Sequence, residues 1–205
     1  MNIQESTPDV LIATARELFA RHGYDGTSVR QIADQAGANL GAISYHFGSK
    51  EALYAAVVAS VAGPLHTSVL AIADGPGAPL DRIAGIITAY FDHFADHPDM
   101  PKLVVQQIFT DRPLPPPLRE AMAGILTAIA SVLAAGQADG SIREGLPHLL
   151  ALSTLAQPIY FNIVRRPLAA AGVLDLADPA MRRAVIDHVT RFAIAGLAAP
   201  SPESP

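Results

Sequence analysis

The 205-residue chain contains no cysteine and no tryptophan, and only two of its residues are lysine. Without cysteine it forms no disulfide, no cysteine-ligated zinc site and no thiol nucleophile. Charged residues make up 16% of the sequence and aromatic residues 6%, whereas 50% are hydrophobic. That proportion is sufficient for a buried core and argues against a mainly disordered chain.

Signals for export or membrane insertion are also absent. The N-terminal stretch MNIQESTPDV has neither the basic region nor the apolar run of a signal peptide. Charged residues, glycines and prolines interrupt the apolar segments before the roughly 18 residues that a membrane span needs. We therefore expect a cytoplasmic protein with no membrane segment. The net charge of -5 argues against extensive coating of nucleic acid but allows a small local contact.

Apolar residues recur at helical spacing, and no segment alternates as a half-buried strand does. The predicted fold class is therefore all-α. Pro64 is expected to kink or end the fourth helix. The first helix is expected to bury one face, formed by Leu11, Ala15, Leu18, Phe19 and His22. The predicted helices span residues 8–22, 29–36, 40–46, 50–72, 80–96, 101–110, 116–138, 145–170 and 178–198.

The second and third helices form a predicted helix-turn-helix, since both are short and a glycine-containing turn joins them. Gly37 suits the backbone that ends the first of them, and Asn39 is a good N-cap for the next. Small residues on that next helix would let it approach the major groove of DNA closely. The inward-facing residues are expected to be Ile32, Ala33, Ala36, Ile43 and Phe47.

Groups that bind phosphate flank this motif. Thr27 and Ser28 place hydroxyls and amides at a helix N-terminus, a position that favours anions. Tyr45, His46 and Lys50 supply further donors at its end. The predicted DNA-binding residues are Thr27, Ser28, Arg30, Asn39, Leu40, Gly41, Ala42, Ser44, Tyr45, His46 and Lys50. Residues 1–62, however, contain four basic and six acidic side chains, so the residues alone leave DNA binding undecided.

The segment from Ala13 to Tyr54 reads ATARELFARHGYDGTSVRQIADQAGANLGAISYHFGSKEALY. The order and spacing of LFARHGYDGTS, IADQAG and YHFGSKEAL resemble the N-terminal domain of TetR-family transcriptional regulators. The segment NLGAISYHFGSKEALY is most similar to the CecR-type branch. Asn39, Leu40 and Ser44 depart from the residues frequent in the family, so no operator sequence is carried over.

This resemblance implies an N-terminal three-helix DNA-binding domain with a helix-turn-helix, followed by a helical ligand-binding and dimerisation domain. We place these domains at residues 1–50 and 51–198, with a disordered tail at 199–205. The resemblance further implies a repressor that binds a palindromic double-stranded DNA operator as a homodimer and is released by a small molecule. No cofactor is expected. A dimeric ligand-binding module without DNA binding is the alternative.

Polar residues within apolar helices mark a candidate effector pocket. Buried polar side chains need partners, which are either a ligand or groups on a neighbouring helix. The abundance of alanine, leucine and isoleucine favours an apolar effector. The predicted pocket residues are Phe91, Phe94, Gln106, Gln107, Gln157, Tyr160, Phe161, Asn162 and Arg165.

An apolar stripe on the last helix is the candidate dimer interface, and ordinary core packing is its alternative. It comprises Ala184, Ile186, Val189, Phe192, Ala193, Gly196 and Leu197. His93 and His97 share a helix face that would suit a metal or, least favoured, an all-α enzyme; a solvated helix end is the simpler reading, and no metal is predicted. The sequence contains no G-x-S-x-G, P-loop, H-E-x-x-H or G-x-G-x-x-G motif.

Overall fold

The computed structural model describes residues 8–108 and 112–200. Within these ranges the only β pairing is an isolated antiparallel bridge between Ile142 and Ala198. The predicted all-α fold is confirmed over the described residues. The predicted helix ends agree with the structure to within two residues, except the end predicted at residue 110, which lies outside the described residues. The helices are α1 (Pro8–His22), α2 (Val29–Ala36), α3 (Leu40–Phe47), α4 (Lys50–Ala73), α5 (Pro79–Asp96), α6 (Met100–Ile108), α7 (Pro116–Ala138), α8 (Pro147–Ala170) and α9 (Pro179–Leu197).

The helices divide between two compact units. The first unit contains the chain up to Pro64 together with His97–Ala121. The second unit contains Leu65–Asp96 and the chain from Met122 onward. α6 therefore belongs to the same unit as α1, α2 and α3, although α5 separates them in sequence.

The core of the first unit is built largely on α1. Four of the five residues predicted on its inner face are buried, but His22 is exposed. His22 lies in the last turn of α1, where a basic side chain in water complements the helix dipole and avoids the cost of burying an unpaired imidazole. Phe47 is only half-buried at the end of α3. Further core residues of this unit are Ile32, Ala33, Ile43, Leu53 and Val57.

The second unit packs α5 against α8 and α9. Its buried residues include Ile83, Ile86, Phe91, Ile129, Leu133, Leu155 and Val185. The end of α9 is held by backbone hydrogen bonds from Arg143 to the Leu197 carbonyl and from Ala199 to the Ser141 carbonyl. The ordered chain thus reaches Ala199, which corrects the predicted start of the tail, while residues 201–205 lie outside the described part.

α4 runs through Pro64 to Ala73, so the predicted break at Pro64 is wrong. By length and composition alone, α4 and α7 are each apolar enough to cross a membrane, which also corrects the expectation that interruptions exclude such segments. The core helices of soluble proteins pass the same test. α4 and α7 both contribute side chains to a core, for example Val57 and Ile129, each 0% exposed.

Gly136 permits close packing between α7, the start of α5 and the connection to α8. A Cβ atom at this position would lie 2.5 Å from Cδ1 of Ile142 and 3.0 Å from Cβ of Pro79. Ile142 is itself 3% exposed, so it has little room to move. The close approach explains a glycine in the interior of a long helix, where alanine is otherwise preferred.

We predict that Gly136→Ala lowers the free energy of unfolding by about 1–3 kcal/mol, because the added methyl overpacks the core. The matched control is Gly63→Ala in α4, where a Cβ meets nothing within 4 Å. This control should raise the free energy of unfolding by about 0.5–1 kcal/mol. Chemical denaturation at one fixed protein concentration measures both. Equal stabilities of the two variants would contradict the packing argument.

Candidate nucleic-acid interface

Local hydrogen bonds and backbone conformation fix the start of α2 and the turn between α2 and α3. Ser28 Oγ accepts from the Gln31 amide at 3.2 Å, and Gln31 Oε1 accepts from the Ser28 amide at 2.8 Å, which forms a capping box. Gly37 ends α2 at φ 67°, the left-handed conformation that a Cβ disfavours. Asn39 Oδ1 accepts from the Ala42 amide at 2.8 Å. The predicted ending at Gly37 and N-cap at Asn39 are both confirmed.

α3 is anchored by the buried Ile43 and the half-buried Ala42 and Phe47, and its other residues are exposed to solvent. Ile43 is 2% exposed, whereas Tyr45 is 85% and Leu40 47% exposed. Of the other residues predicted to contact DNA, Ala42 is half-buried, and Arg30, Asn39, Gly41, Ser44 and His46 are exposed. The helix therefore offers small, hydroxyl and aromatic groups on one accessible face.

A groove of about 590 Å³ lies beside α3. Its lining includes the start of α2 at Ser28 and the start of α4 at Lys50. Helix N-termini carry unsatisfied amides and a partial positive charge, so two of them on one groove favour an anion such as a phosphate. The lining residues are Asp25, Thr27, Ser28, Val29, Leu40, Ile43, Ser44, Gly48, Ser49 and Lys50.

Thr27 has a structural role instead of the predicted contact with phosphate. Its side chain is 2% exposed, and its hydroxyl lies 2.8 Å from the Gly23 carbonyl and 3.2 Å from the Leu18 carbonyl. The hydroxyl proton is therefore used within the fold, where it ties the end of α1 to the start of α2. The prediction that the Thr27 hydroxyl binds DNA is wrong, because the hydroxyl is buried and bonded within the protein. Residue type and position in the sequence do not reveal this burial.

Sequence reasoning missed Tyr24, which connects several charged groups at the edge of the groove. Its hydroxyl donates to Glu51 Oε1 at 2.6 Å, and Lys50 Nζ lies 4.2 Å from its ring centroid. Burial, followed by the hydrogen bond to Glu51, raises the pKa of Tyr24 to about 12. Burial also lowers the pKa of Lys50. The Arg112 guanidinium lies 4.2 Å from the same ring centroid.

The predicted effector residues are spread over both units. Phe91 and Phe94 are buried on α5 in the second unit. Gln107, in the first unit, is buried and hydrogen-bonded to Tyr54, and Asn162 Nδ2 donates to the Pro158 carbonyl at 2.8 Å. The side-chain amides of Gln107 and Asn162 thus have hydrogen-bond partners within the protein and do not need a ligand as a partner.

Other predicted effector residues differ in exposure. Tyr160 is 61% exposed on α8, so it is not a buried polar side chain that needs a partner, and its contact with an effector stays a prediction. Gln106, Gln157 and Phe161 are half-buried. Arg165 is also half-buried and lines a cavity of about 440 Å³ in the second unit, together with Arg166 and Arg182.

The predicted interface stripe on α9 needs correction. Val189 is 0% and Leu197 4% exposed, and both belong to the core of the second unit. Ile186 and Ala193 are half-buried, whereas Phe192 and Gly196 are exposed. α9 is apolar on two faces, and helical spacing alone does not tell the core face from the other. The outward stripe instead contains Met181, Ala184, His188, Phe192 and Ala195.

α8 presents a second exposed apolar stripe, formed by Leu149, Leu152, Tyr160 and Ile163. Near the end of α5, the ring of His93 lies beside that of Phe94, with 6.3 Å between centroids. Over the described residues, no group of three or more histidine, aspartate or glutamate side chains is placed to hold a metal ion. The histidine pair therefore gains no further metal ligand there.

We predict that Ser28→Ala lowers the free energy of unfolding by about 1 kcal/mol, because α2 loses its N-cap and capping box. Ser28→Asp should stay within about 0.5 kcal/mol of the wild type, since aspartate caps equally well. Urea denaturation of both variants at one protein concentration provides the test. If Ser28→Ala is as stable as the wild type, the capping box contributes nothing measurable.

Comparisons with known proteins place this geometry in context. A family model described as bacterial regulatory proteins, tetR family, matches residues 11–57. A second model, described as tetracyclin repressor-like, C-terminal domain, matches residues 79–192, more than half of the chain. Neither match tests the resemblance to the CecR-type branch, which stays a prediction.

Relatives agree with these matches over nearly the whole chain. The HTH-type transcriptional repressor NicS of Pseudomonas putida is 23% identical over 197 residues, covering 94% of this chain and 93% of NicS. The HTH-type transcriptional regulator RutR of Escherichia coli K12 is 26% identical over 192 residues, covering 91% of this chain and 88% of RutR.

A solved structure supports the fold. Bacillus subtilis FadR, determined in complex with stearoyl-CoA, matches with a TM-score of 0.76 at 20% identity, covering 93% of this chain and 99% of FadR. The matched families and relatives are transcriptional regulators, so an enzyme using His93 and His97 is set aside. The chain belongs to the TetR family of transcriptional regulators.

Proposed function

We propose that this regulator is a cytoplasmic repressor that binds a palindromic DNA operator as a homodimer and is released by a small, mainly apolar effector. DNA reading is assigned to residues 1–50, and effector binding and dimerisation to residues 51–198. The observation that carries the proposal is the groove beside α3, whose lining includes Ser28 at the start of α2 and Lys50 at the start of α4.

In this proposal α3 enters the major groove. Its eight residues span about 12 Å, and the small side chains of Gly41, Ala42 and Ser44 allow close approach to base edges. A DNA phosphate next to the major groove is held by the amides of the capped helix starts and by Lys50. These donors lie within a few ångströms of the phosphate, so their attraction exceeds the repulsion from the more distant acidic side chains of the domain.

Operator binding tests this assignment. We predict that fluorescence anisotropy with the gene's own upstream DNA shows tight binding at about 50 mM salt and weaker binding at about 200 mM salt. Lys50→Ala should weaken binding about tenfold and lower the slope of log affinity against log salt by about 0.9. Tyr45→Ala should weaken binding too, because it removes an aromatic group from the surface of α3 that would face DNA. The variant should stay folded, since Tyr45 is 85% exposed and contributes nothing to the core.

Ser28→Asp keeps the helix cap but places a carboxylate in the groove. It should abolish operator binding in a folded protein because the carboxylate repels phosphate. Binding by Ser28→Asp at wild-type affinity would contradict the groove as a phosphate site. Absence of wild-type binding at both salts on upstream DNA, and on DNA selected from the whole genome, would favour the alternative module without DNA binding.

The exposed apolar stripes of α8 and α9 support the dimer. Leu149 is 57%, Tyr160 61% and Phe192 62% exposed, which is costly for large apolar side chains that stay in water. Two helices from each protomer would form a four-helix interface in which the same stripes meet by twofold symmetry. Such symmetry matches a palindromic operator.

We predict that Phe192→Asp converts the dimer into monomers, because a carboxylate would be buried without a partner at the symmetric interface. Its exposure within the protomer means that the fold itself should persist. Val10→Asp is the matched control, since Val10 is 45% exposed on α1, in the first unit. Analytical ultracentrifugation distinguishes the species. A dimeric Phe192→Asp protein would exclude this surface.

Effector release is assigned to the second unit. Large apolar side chains of α5, including Phe91 and Phe94, are buried in its interior, and burial raises the pKa of the neighbouring Tyr90 above its usual range. FadR, with the same fold, was solved with stearoyl-CoA, a ligand with a long apolar chain. An effector releases DNA if it binds more tightly to a conformation whose reading helices are wrongly spaced.

A further inference from the structure

We infer that Arg112 is a positioning residue for operator binding: it holds Tyr24 and Asp25, and through Tyr24 it keeps Lys50 at the phosphate groove. The inference rests on the proposed function, because the groove is the same DNA-binding surface. Arg112 follows α6 and lies outside the helix-turn-helix, yet belongs to the same compact unit.

Two contacts join Arg112 to the turn between α1 and α2. Its Nη2 atom lies 2.5 Å from Asp25 Oδ1, and its guanidinium carbon lies 4.2 Å from the centroid of the Tyr24 ring. A cation at this position can pair with a carboxylate while lying over the face of an aromatic ring, so the two contacts restrain one another. Asp25 is a lining residue of the groove, and its negative charge is offset by this pairing.

Tyr24, which contacts Arg112, also contacts two residues at the start of α4. Its ring lies 4.2 Å from Lys50 Nζ, and its hydroxyl donates to Glu51 at 2.6 Å. Both partners stand in the first turn of α4, whose N-terminus lines the groove. A displaced Tyr24 would therefore move the Lys50 ammonium away from a phosphate at the groove.

The same aromatic cluster has a second link to α6. Gln107, buried on α6, is hydrogen-bonded to Tyr54, whose ring stands edge-on to that of Tyr24 at 5.1 Å between centroids. Phe19 stacks on Tyr24 at 5.7 Å. Gln107 on α6 thus holds Tyr54 while Arg112 holds Tyr24, so both residues restrain the same aromatic cluster.

The test compares Arg112→Gln with Arg119→Gln, which removes the same charge from an exposed position on α7 in the same unit. Operator affinity is measured by anisotropy at several salt concentrations, with Lys50→Ala and the Lys50→Ala, Arg112→Gln double variant alongside. Thermal melts confirm that each protein is folded. The salt slope separates positioning from stability, because an unfolded fraction lowers affinity equally at every salt and leaves the slope unchanged.

We expect Arg112→Gln to weaken binding about tenfold and to lower the salt slope by about 0.9, as Lys50→Ala does. The double variant should show no further loss of slope, and Arg119→Gln should stay within about twofold of the wild type. Arg112→Lys keeps a cation for Asp25 and the ring and should retain the wild-type slope.

Three results would overturn the inference. An unchanged slope in Arg112→Gln would leave only a structural role, and a further loss of slope in the double variant would mean that Arg112 contacts phosphate directly. If folded Arg112→Lys lowers the salt slope as much as Arg112→Gln does, a cation at this position is not what holds Lys50. If the wild type binds no DNA, the proposed function itself fails, which is distinct from these three results.

Discussion

The proposed DNA-binding surface depends on the packing of Tyr24 between α1 and α4. Its ring contacts Phe19 on α1 and Tyr54 on α4, and its hydroxyl bonds to Glu51. The turn that carries Tyr24 leads directly to Thr27 and Ser28, where α2 begins. Because this one ring joins α1 to the start of α4, the two helix N-termini that line the groove are held relative to each other.

This arrangement explains how an acidic chain can bind DNA. The net charge of -5 describes the whole surface, whereas a phosphate responds to the donors within a few ångströms. Two helix starts, each with a partial positive charge, line one groove: that of α2 at Ser28 and that of α4 at Lys50. Arg112 pairs with Asp25, the one acidic residue among the groove's lining residues, and so reduces its repulsion.

Local chemistry made most of the fold predictable from the sequence. Gly37 and Asn39 specify the end of α2 and the start of α3 through their own backbone and side-chain preferences, so the turn could be located without tertiary information. Helical spacing likewise located the helix ends within the described residues to within two positions. The exposed residues of α3 followed from the same reasoning, since Ile43 and the half-buried Phe47 are the residues expected to anchor this short helix.

Features set by tertiary contacts were not predictable in this way. The hydroxyl of Thr27 turns inward to carbonyls of α1 and the following turn, and Arg112 reaches Asp25 across 87 positions of the chain. No local pattern encodes either contact. On α9 the apolar residues cover two faces, so Val189 and Leu197 were assigned to the interface although they lie in the core.

Hydroxyl-radical footprinting of the upstream DNA tests the central claim most directly, since it reports both the groove contacts and the twofold assembly. We expect two protected backbone patches per operator, related by symmetry and separated by about one helical turn of 10 base pairs or a multiple of it. Ser28→Asp should protect neither patch. A single unsymmetrical patch, or protection that persists in Ser28→Asp, would contradict DNA binding through the groove by a symmetric dimer.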